Sequence, residues 1–128
     1  MTQETTATAA APDISICIAN YNGEAILAAC LASVYTQETG ARFEVIVHDD
    51  ASTDGAVDAA REQFPDARFL LSKENVGYCV SNQRLAEAAR GEYLLLLNND
   101  VELLPGALEV LYQSILAGHD SIRSLTEY

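Results

Sequence analysis

The segment ISICIANYNG, residues 14–23, decides the fold class. A run of small and branched apolar residues fills its first half, which is typical of a strand buried on both faces of a parallel sheet. The run stops at the turn-forming letters NYNG, and apolar residues then recur at helical spacing from Ile26 to Val34. Asn22 has the residue type of a helix N-cap. The segment therefore predicts a buried strand that leads directly into a helix.

The same strand-then-helix unit recurs three more times along the chain. Further strands are predicted at 43–47, 68–71 and 93–97, and further helices at 57–64, at 80–90 and from residue 105 onward. Gly91 fits the C′ residue that ends the third helix, and Pro105 fits the first turn of the fourth, whose apolar positions begin at Leu104. The alternation predicts an α/β fold, with a mostly parallel sheet of about four strands and helices on both faces.

The two ends of the chain differ in composition from this alternating region. Residues 1–12 are rich in Thr, Ala, Gln and Glu and are predicted to be a flexible leader, while residues 118–128 are predicted to be an irregular tail. The segment 13–117 is the predicted domain. No Lys or Arg precedes Arg42, and no apolar run approaches the ~20 residues that cross a bilayer. A cytoplasmic protein without a signal peptide is the prediction.

The chain is strongly acidic. Its 128 residues include 7 Lys+Arg and 19 Asp+Glu, so the formal net charge is −12. This charge argues against nucleic acid or an anionic lipid surface as a partner, because few cations are available to pair with phosphates. A hydrophobic content of 49% excludes a disordered acidic tail. The widely spaced Cys17, Cys30 and Cys79 are interpreted as small buried residues in a reducing compartment.

Polar clusters follow three of the four predicted strands, at 20–23, 49–54 and 98–100. Parallel strands bring their carboxyl ends to one edge of a sheet, and α/β sheets bind their ligands beyond that edge. The sequence lacks both G-x-G-x-x-G after the first strand and G-x-x-x-x-G-K-[ST], which argues against a nicotinamide-binding Rossmann domain and a P-loop NTPase. The acidic pair follows the second strand, which disfavours a phospho-acceptor receiver domain.

The acidic residues of these clusters each allow two interpretations. Asp100 ends the fourth strand, where a carboxylate can hold Mg²⁺ or Mn²⁺ together with a diphosphate, or can cap the turn into the last helix. Asp49 and Asp50 can form turns, or accept hydrogen bonds from ring N–H or ribose hydroxyl groups. Ser52 and Asp54 can cap the second helix. Spacing alone does not choose between these interpretations.

Four motifs in order resemble family 2 glycosyltransferases of the GT-A fold: ICIANYN at 16–22, DDASTDG at 49–55, NVG at 75–77 with Asn82, and GEYLLLLNND at 91–100. The resemblance implies a Rossmann-like GT-A nucleotide-binding half domain. It also implies transfer of a sugar, with inversion, from a UDP- or dTDP-sugar to a hydroxyl of a saccharide or lipid-linked acceptor. Such enzymes serve bacterial cell-wall or polysaccharide synthesis, in the cytoplasm or at the cytoplasmic face of the membrane through other segments or partners.

The resemblance also implies which residues bind the donor. The implied donor-binding residues are Ala19, Tyr21, Asn22, Asp49, Asp50, Ser52, Asn75, Gly77, Asn82, Asn98 and Asn99. Asp50 or its neighbour Asp49 would accept hydrogen bonds from the base or the ribose. Asp100 matches the final, metal-binding Asp of the family's D-x-D motif, which implies Mg²⁺ or Mn²⁺ as cofactor. The N-x-D form of the motif resembles rhamnosyltransferases.

No catalytic base is assigned. An inverting transfer needs a general base for the acceptor hydroxyl, and in the family this base follows the D-x-D strand. The carboxylates after Asp100 are Glu102, Glu109, Asp120 and Glu127, and none lies in a recognisable base motif. Two alternatives to an active transferase therefore stay open: a truncated, non-catalytic nucleotide-sugar-binding module, and an interaction module that forms a homo-oligomer through an open sheet edge.

Overall fold

The computed structural model describes residues 11–118, in which four strands and four helices alternate. The strands are β1 (Ile14–Asn20), β2 (Phe43–Asp49), β3 (Arg68–Leu71) and β4 (Tyr93–Asn98); the helices are α1 (Glu24–Tyr35), α2 (Ala56–Gln63), α3 (Tyr78–Ala88) and α4 (Ala107–Leu116). The predicted β-α alternation is confirmed. Most of the predicted leader and nearly all of the predicted tail lie outside the described residues, so the domain boundaries stay predictions.

The sheet is parallel throughout, with the strand order β3-β2-β1-β4. The chain adds β2 and β3 on one side of β1 and then returns to place β4 on the other side. In the register, Ile16 stands between Val45 and Leu95. The reversal of direction between β1 and β4 is the point of an open α/β sheet at which ligands bind, beyond the carboxyl ends of the strands.

Helices cover both faces of the sheet, as predicted. The larger hydrophobic core lies between one sheet face and the helices α1, α2 and α4. The smaller core lies under α3, where Leu85 packs on Cys17 and Ile46. Burial of each large apolar side chain contributes about 1.5–3 kcal/mol, so the two cores hold the strand ends in a fixed arrangement. Among residues 11–118, no helix is both long enough and apolar enough to cross a membrane.

The predicted N-cap role of Asn22 is wrong. The N-cap of α1 is Gly23, whose φ of 74° is left-handed and which has no side chain to cap the helix. The Asn22 side chain reaches the next loop instead, where its Oδ1 accepts a hydrogen bond from Thr53 N at 2.8 Å. A tertiary contact therefore uses the Asn22 side-chain oxygen that the local sequence predicts to cap the helix.

The predicted C′ role of Gly91 is also wrong. Helix α3 ends at Ala88, and the following Ala89 is extended, with φ −69° and ψ 142°. Gly91 is needed for a different reason: a Cβ at this position would lie 2.6 Å from Ser15 N. The chain enters β4 so close to β1 that only glycine fits.

The start of the last helix differs from the prediction as well. Helix α4 begins at Ala107 behind Gly106, whose φ is 84°, so Pro105 lies in the preceding turn. Leu104 is 65% exposed, whereas its neighbour Leu103 is buried. The apolar periodicity therefore breaks at this turn.

The predicted burial of the cysteines is confirmed for two of the three residues. Cys17 and Cys30 are buried, and burial raises the pKa of Cys17 to about 11 and that of Cys30 to about 12. Cys79 is exposed, because α3 buries Ser81 and Leu85 rather than its first turn.

Candidate functional site

The three polar clusters meet at the carboxyl edge of the sheet. Asn20, the last residue of β1, is paired with Asp49 at the end of β2. On the other side of β1, Ala19 is paired with Asn98 at the end of β4. The structure thus brings the loops after β1, β2 and β4 together, as expected for parallel strands.

A buried hydrogen-bond network joins these three strand ends through Asn20. This side chain is 2% exposed. Its Nδ2 donates to Asp49 Oδ1 at 3.0 Å, and its Oδ1 accepts from Asn99 Nδ2 at 2.8 Å. Asp49 also accepts hydrogen bonds from Ser52, at 2.9 Å from the backbone N and 2.5 Å from Oγ. Asp49 is therefore buried and shared among protein donors.

Asn20 belongs to the first predicted polar cluster but is absent from the implied donor-binding residues. The available signal is its position, because Asn20 occupies an inward-facing site of a strand whose other inward residues, Ile14, Ile16 and Ile18, are apolar and buried. A buried amide needs hydrogen-bond partners. The identity of those partners becomes visible only in the fold.

The loops after β1 and β2 are held together by backbone-to-side-chain hydrogen bonds. Asn22 N donates to Ser52 Oγ at 2.7 Å. Asp54 accepts from Glu24 N at 3.1 Å and from Ala56 N at 3.0 Å, so it joins the starts of α1 and α2. The capping interpretation thus fits Asp54, while Ser52 serves the network around Asp49.

Asp50 holds the loop that precedes α3. Its Oδ1 accepts from Val76 N at 2.7 Å, its Oδ2 accepts from Gly77 N at 3.1 Å, and its carbonyl oxygen accepts from Asn75 Nδ2. A carboxylate has about four acceptor positions, so Asp50 keeps capacity for a ligand. The contact brings the predicted residues Asn75 and Gly77 to the second cluster.

The backbone around Asp50 is strained. Ala51 has a φ of 61°, a left-handed conformation that costs a non-glycine residue about 1–2 kcal/mol. Gly77 has φ 92° and ψ 163°, a region essentially restricted to glycine. Strain of this kind concentrates at ligand-binding sites.

Two aromatic side chains stand at the rim of the carboxyl edge. Tyr78, the first residue of α3, is 59% exposed, and its hydroxyl donates to Asn98 Oδ1 at 3.0 Å. Tyr21, in the loop after β1, is 52% exposed. Exposed aromatic faces of this kind can stack on a base or sugar ring.

Asp100 is exposed, and its carboxylate has no hydrogen-bond partner among residues 11–118. The turn is closed by the backbone instead, where Val101 N donates to Asn98 O at 3.1 Å. The structure therefore gives no support to the capping interpretation. After burial, the charges of Asp100 and Glu102 are the next causes that raise the pKa of Cys30.

The Asp100 carboxylate and the neighbouring side-chain amides are of the type that binds a hard divalent cation, whose other ligands would come from a diphosphate. Carboxylate and amide oxygens are the ligands that Mg²⁺ and Mn²⁺ prefer. Within residues 11–118, no group of three His, Cys, Asp or Glu side chains is arranged to hold a metal ion by itself. A cation at Asp100 would thus complete its coordination with phosphate and water.

The remaining predicted residues are less closely tied to the network. Ala19 is half-buried in β1, next to Asn98 in the register. Asn82 lies on α3, one turn after Tyr78, is half-buried and makes no hydrogen bond to another described side chain.

Two cavities lie near the end of β2. One, of about 390 Å³, is lined by residues from the ends of β2 and β3 and the start of α2, including Ser52 and Ser72. The other, of about 620 Å³, lies between β3 and α3 and includes His48 and Arg84. His48 is buried, and its Nε2 lies 3.3 Å from Arg84 Nη1. Burial lowers the pKa of His48, and the positive charge of Arg84 lowers it further.

An all-parallel α/β sheet of this order, with polar side chains at its carboxyl edge, is the architecture of the GT-A glycosyltransferases that the chain resembles. The chain belongs to glycosyl transferase family 2, whose family model matches residues 15–123. The predicted family and the predicted fold class are both confirmed. The match leaves the roles of the individual site residues, and the rhamnosyltransferase-like branch, as predictions.

Relatives and solved structures agree with this assignment. Over 115 residues, or 88% of the chain and 25% of the relative, the chain is 36% identical to a validoxylamine A glucosyltransferase of Streptomyces hygroscopicus subsp. limoneus. It resembles the mannosyltransferase PcManGT of Pyrobaculum calidifontis, solved with GDP-Man and Mn²⁺, with a TM-score of 0.67 and 25% identity over 81% of this chain and 32% of that one.

TarS of S. aureus, solved as residues 1–349 in complex with UDP, has a TM-score of 0.60 and 27% identity, covering 69% of this chain and 27% of that chain. The present chain spans between 25% and 34% of the length of the curated relatives it matches. The activity of such longer proteins bears on this chain only as a proposal.

Proposed function

We propose that this chain forms the donor-binding part of a glycosyltransferase that uses a nucleotide-diphosphate sugar and a divalent cation. The observation that carries the proposal is the meeting of Asp50, the Asn20 network and the unbonded carboxylate of Asp100 at one sheet edge. The GDP-Man, Mn²⁺ and UDP complexes of the structural neighbours support this class of ligand.

Each cluster has a role in this proposal. Asp50 accepts hydrogen bonds from the base or ribose, held in place by the amides of Val76 and Gly77. Tyr21 and Tyr78 offer exposed rings at the rim. Asp100, with the oxygens around it, holds the cation that pairs with the diphosphate.

The chemistry follows from where negative charge develops. Departure of the nucleoside diphosphate builds charge on its phosphates, and a bound Mg²⁺ or Mn²⁺ supplies the compensating positive charge. Asp100 fixes that charge at the end of β4, in a chain whose net charge of −12 would otherwise repel the diphosphate. The acceptor oxygen attacks the anomeric carbon from the opposite side, which gives inversion. No residue of this chain is assigned as the base for the acceptor hydroxyl.

The test is calorimetric titration of UDP, GDP and dTDP, each with Mn²⁺ and with a chelator. Asp100→Asn removes one charge at constant size, and Asp66→Asn does the same in the exposed turn between α2 and β3. Residues that merely position a metal ligand are worth about 10–100-fold in metal affinity, so loss of the ligand itself should weaken Mn²⁺–nucleotide binding by at least about 100-fold. Asp66→Asn should bind like the parent chain. Equal nucleotide affinity in chelator would contradict the metal role of Asp100.

The non-catalytic alternative makes the same binding prediction but differs in turnover. A transferase releases sugar from its donor, to an acceptor or to water, whereas a binding module returns the donor intact. Chromatography of the nucleotide after long incubation with the chain separates the two. The choice of sugar, the saccharide or lipid-linked acceptor, and a cytoplasmic role in cell-wall or polysaccharide synthesis stay predictions.

A second candidate function, association through the sheet edge, is favoured by one observation. Within residues 11–118, β4 pairs only with β1. Its side chains Leu94 and Leu96 are 48% and 51% exposed, on the sheet face that α3 covers over β1 and β2. An open edge with apolar side chains promotes pairing with another chain. Light scattering across a concentration series should show a dimer that Leu96→Lys abolishes. A monomer at every concentration would exclude this function for the chain alone.

A further inference from the structure

The hydrogen bonds through Asn20 run in one direction. Ser52 N can only donate, and it donates to Asp49 Oδ2, while Ser52 Oγ and Asn20 Nδ2 both donate to Asp49 Oδ1. Asp49 is therefore an acceptor at both oxygens. The NH₂ group of Asn20 has to face Asp49, and its carbonyl oxygen has to face away.

This direction passes on to Asn99. Because Asn20 turns its Oδ1 toward β4, Asn99 has to donate to it, and its Nδ2 does so at 2.8 Å. Asn99 Oδ1 then points out of the network. This oxygen has no hydrogen-bond partner among the described residues. It is not buried, so it is accessible to solvent. The residue beside it is Asp100, the exposed end of the β4 cluster.

We propose that Asn20 is a positioning residue, which fixes the Asn99 amide so that its carbonyl oxygen, rather than its NH₂ group, faces the cation side of the donor site. The inference rests on the proposed function. An oxygen beside Asp100 attracts a divalent cation or its bound water, whereas an NH₂ group there would repel it. The buried Asp49 thus controls, through two amides, which atom the third loop presents to the ligand.

Reversing the polarity of the network tests the orientation without any ligand. In Asn99→Asp, an acceptor faces Asn20 Oδ1; in Asp49→Asn, Asn20 and Ser52 no longer find two acceptor oxygens. In the double variant Asn20 can flip and donate to the new carboxylate, while the new amide donates to Asn20 and accepts from Ser52 N. The net charge is unchanged.

We expect each single variant to lower the midpoint of urea unfolding, and the double variant to recover at least half of the summed loss. Neighbouring groups that share hydrogen bonds are coupled in this way. Losses that simply add in the double variant would overturn the assigned orientation. This experiment is independent of nucleotide binding, so it stands even if the proposed function fails.

The second experiment measures Mn²⁺ affinity by electron paramagnetic resonance of the free ion, in the presence of UDP or GDP. Asn20→Leu removes the hydrogen bonds to Asp49 and Asn99 while keeping a side chain of similar size. Its control is Ser15→Ala, a buried polar residue at the other end of β1. Loss of a residue that orients a metal ligand typically costs 10–100-fold in affinity, so Asn20→Leu should weaken Mn²⁺ binding at least about tenfold and Ser15→Ala less than about twofold.

Binding by Asn20→Leu within about twofold of the parent chain would overturn the positioning role. If Asn20→Leu does not fold, the reversed double variant replaces it. The double variant contains Asn99→Asp, which adds a second carboxylate beside Asp100, so it should bind Mn²⁺ more tightly than the parent chain. Weaker binding by the double variant would count against the proposal. A parent chain that binds no Mn²⁺–nucleotide at all would refute the proposed function, while the reversal experiment still decides the orientation.

Discussion

The two ends of β1 each carry a buried polar residue, and they differ in how their hydrogen bonds end. At the amino end, Ser15 Oγ donates to Glu44 at 2.6 Å and accepts from Gly91 N at 2.8 Å. Glu44 also accepts from Arg90 N and pairs with Arg68 at 2.9 Å. Every partner there belongs to the protein, so the network is closed.

At the carboxyl end, the network through Asn20 stays open. It starts from the buried Asp49 and ends at an Asn99 oxygen that reaches solvent, next to an exposed carboxylate without a partner among the described residues. A closed network stabilises the fold, and an open one leaves acceptors for a ligand. The difference predicts that mutations at the amino end change stability alone, while mutations at the carboxyl end also change binding.

The largest effect on this comparison is expected from Gly91→Ala. The new Cβ would lie 2.6 Å from Ser15 N, a backbone atom that cannot move aside cheaply. Overpacking typically costs 1–3 kcal/mol, and we expect a loss of about 3 kcal/mol in the free energy of unfolding, measured with urea. Gly40→Ala is the matched control, because its Cβ would lie 4.0 Å from the nearest atom. An equal loss in both variants would contradict the close approach.

Glu44→Gln is expected to have the next largest effect. Burial opposes ionisation of Glu44, but hydrogen bonds from Ser15 and Arg90 and the pairing with Arg68 outweigh it and lower its pKa below the ordinary value of 4.5. The stabilisation is therefore present above pH 4.5 and is lost as the pH falls through the lowered pKa. Hydrogen bonds to a charged group contribute about 1.5–3 kcal/mol, so we expect a loss of about 2 kcal/mol at neutral pH.

Urea unfolding at several pH values checks this prediction. The gap between parent and variant should shrink as the pH is lowered below 4.5. Glu62→Gln, on an exposed part of α2, provides the control with the same loss of charge. A gap that stays constant down to the acid transition would show that Glu44 is not stabilised as a carboxylate.

At the carboxyl end, Ala51→Gly is expected to stabilise the protein. Glycine relieves a left-handed φ of 61°, worth about 1–2 kcal/mol, but gains about 0.5–1 kcal/mol of freedom in the unfolded chain. We expect a net gain of about 0.5 kcal/mol in urea unfolding. In the helix α2, Ala59→Gly should instead lose about 1 kcal/mol. Loss of stability in Ala51→Gly would mean that the loop is not strained.

The smallest effect on stability is expected from Tyr78→Phe. It removes the hydroxyl that holds Asn98 Oδ1 at 3.0 Å in an exposed position. An exposed hydrogen bond adds little, so the free energy of unfolding should change by less than about 0.5 kcal/mol. Nucleotide affinity should fall a few-fold because the Asn98 amide is free to rotate, and calorimetry measures it. A larger change in stability than in affinity would contradict the separation of the two ends.

The order of elements was predictable because it depends on local periodicity. Runs such as 14–18 and 93–97 and the helical spacing after Ile26 are set within a few residues of one another. The long apolar strands also predict burial on both faces, which β1 shows, whereas one face of β4 is exposed. The parallel topology follows from the alternation.

Two of the predictions that failed, those for Asn22 and Gly91, concern residues whose partners are distant in sequence. Asn22 has the right type for an N-cap, but its partner Thr53 lies 31 residues away. Gly91 has the residue type of a helix end, but glycine is needed there because the chain passes close to Ser15, 76 residues earlier. The position of Asn20 indicates a buried amide but not its partner Asn99, which lies 79 residues away. Local patterns carry no information about such contacts.

The position of β4 in the sheet has a consequence for how the site assembles. β1, β2 and β3 follow one another in space as they do in sequence, so they can pair as the ribosome delivers them. β4 has to return past both crossovers to β1, and closing so long a loop is slow. We therefore expect Asn99 and Asp100 to join the other clusters last during folding, so that the cation side of the site forms after its nucleotide side.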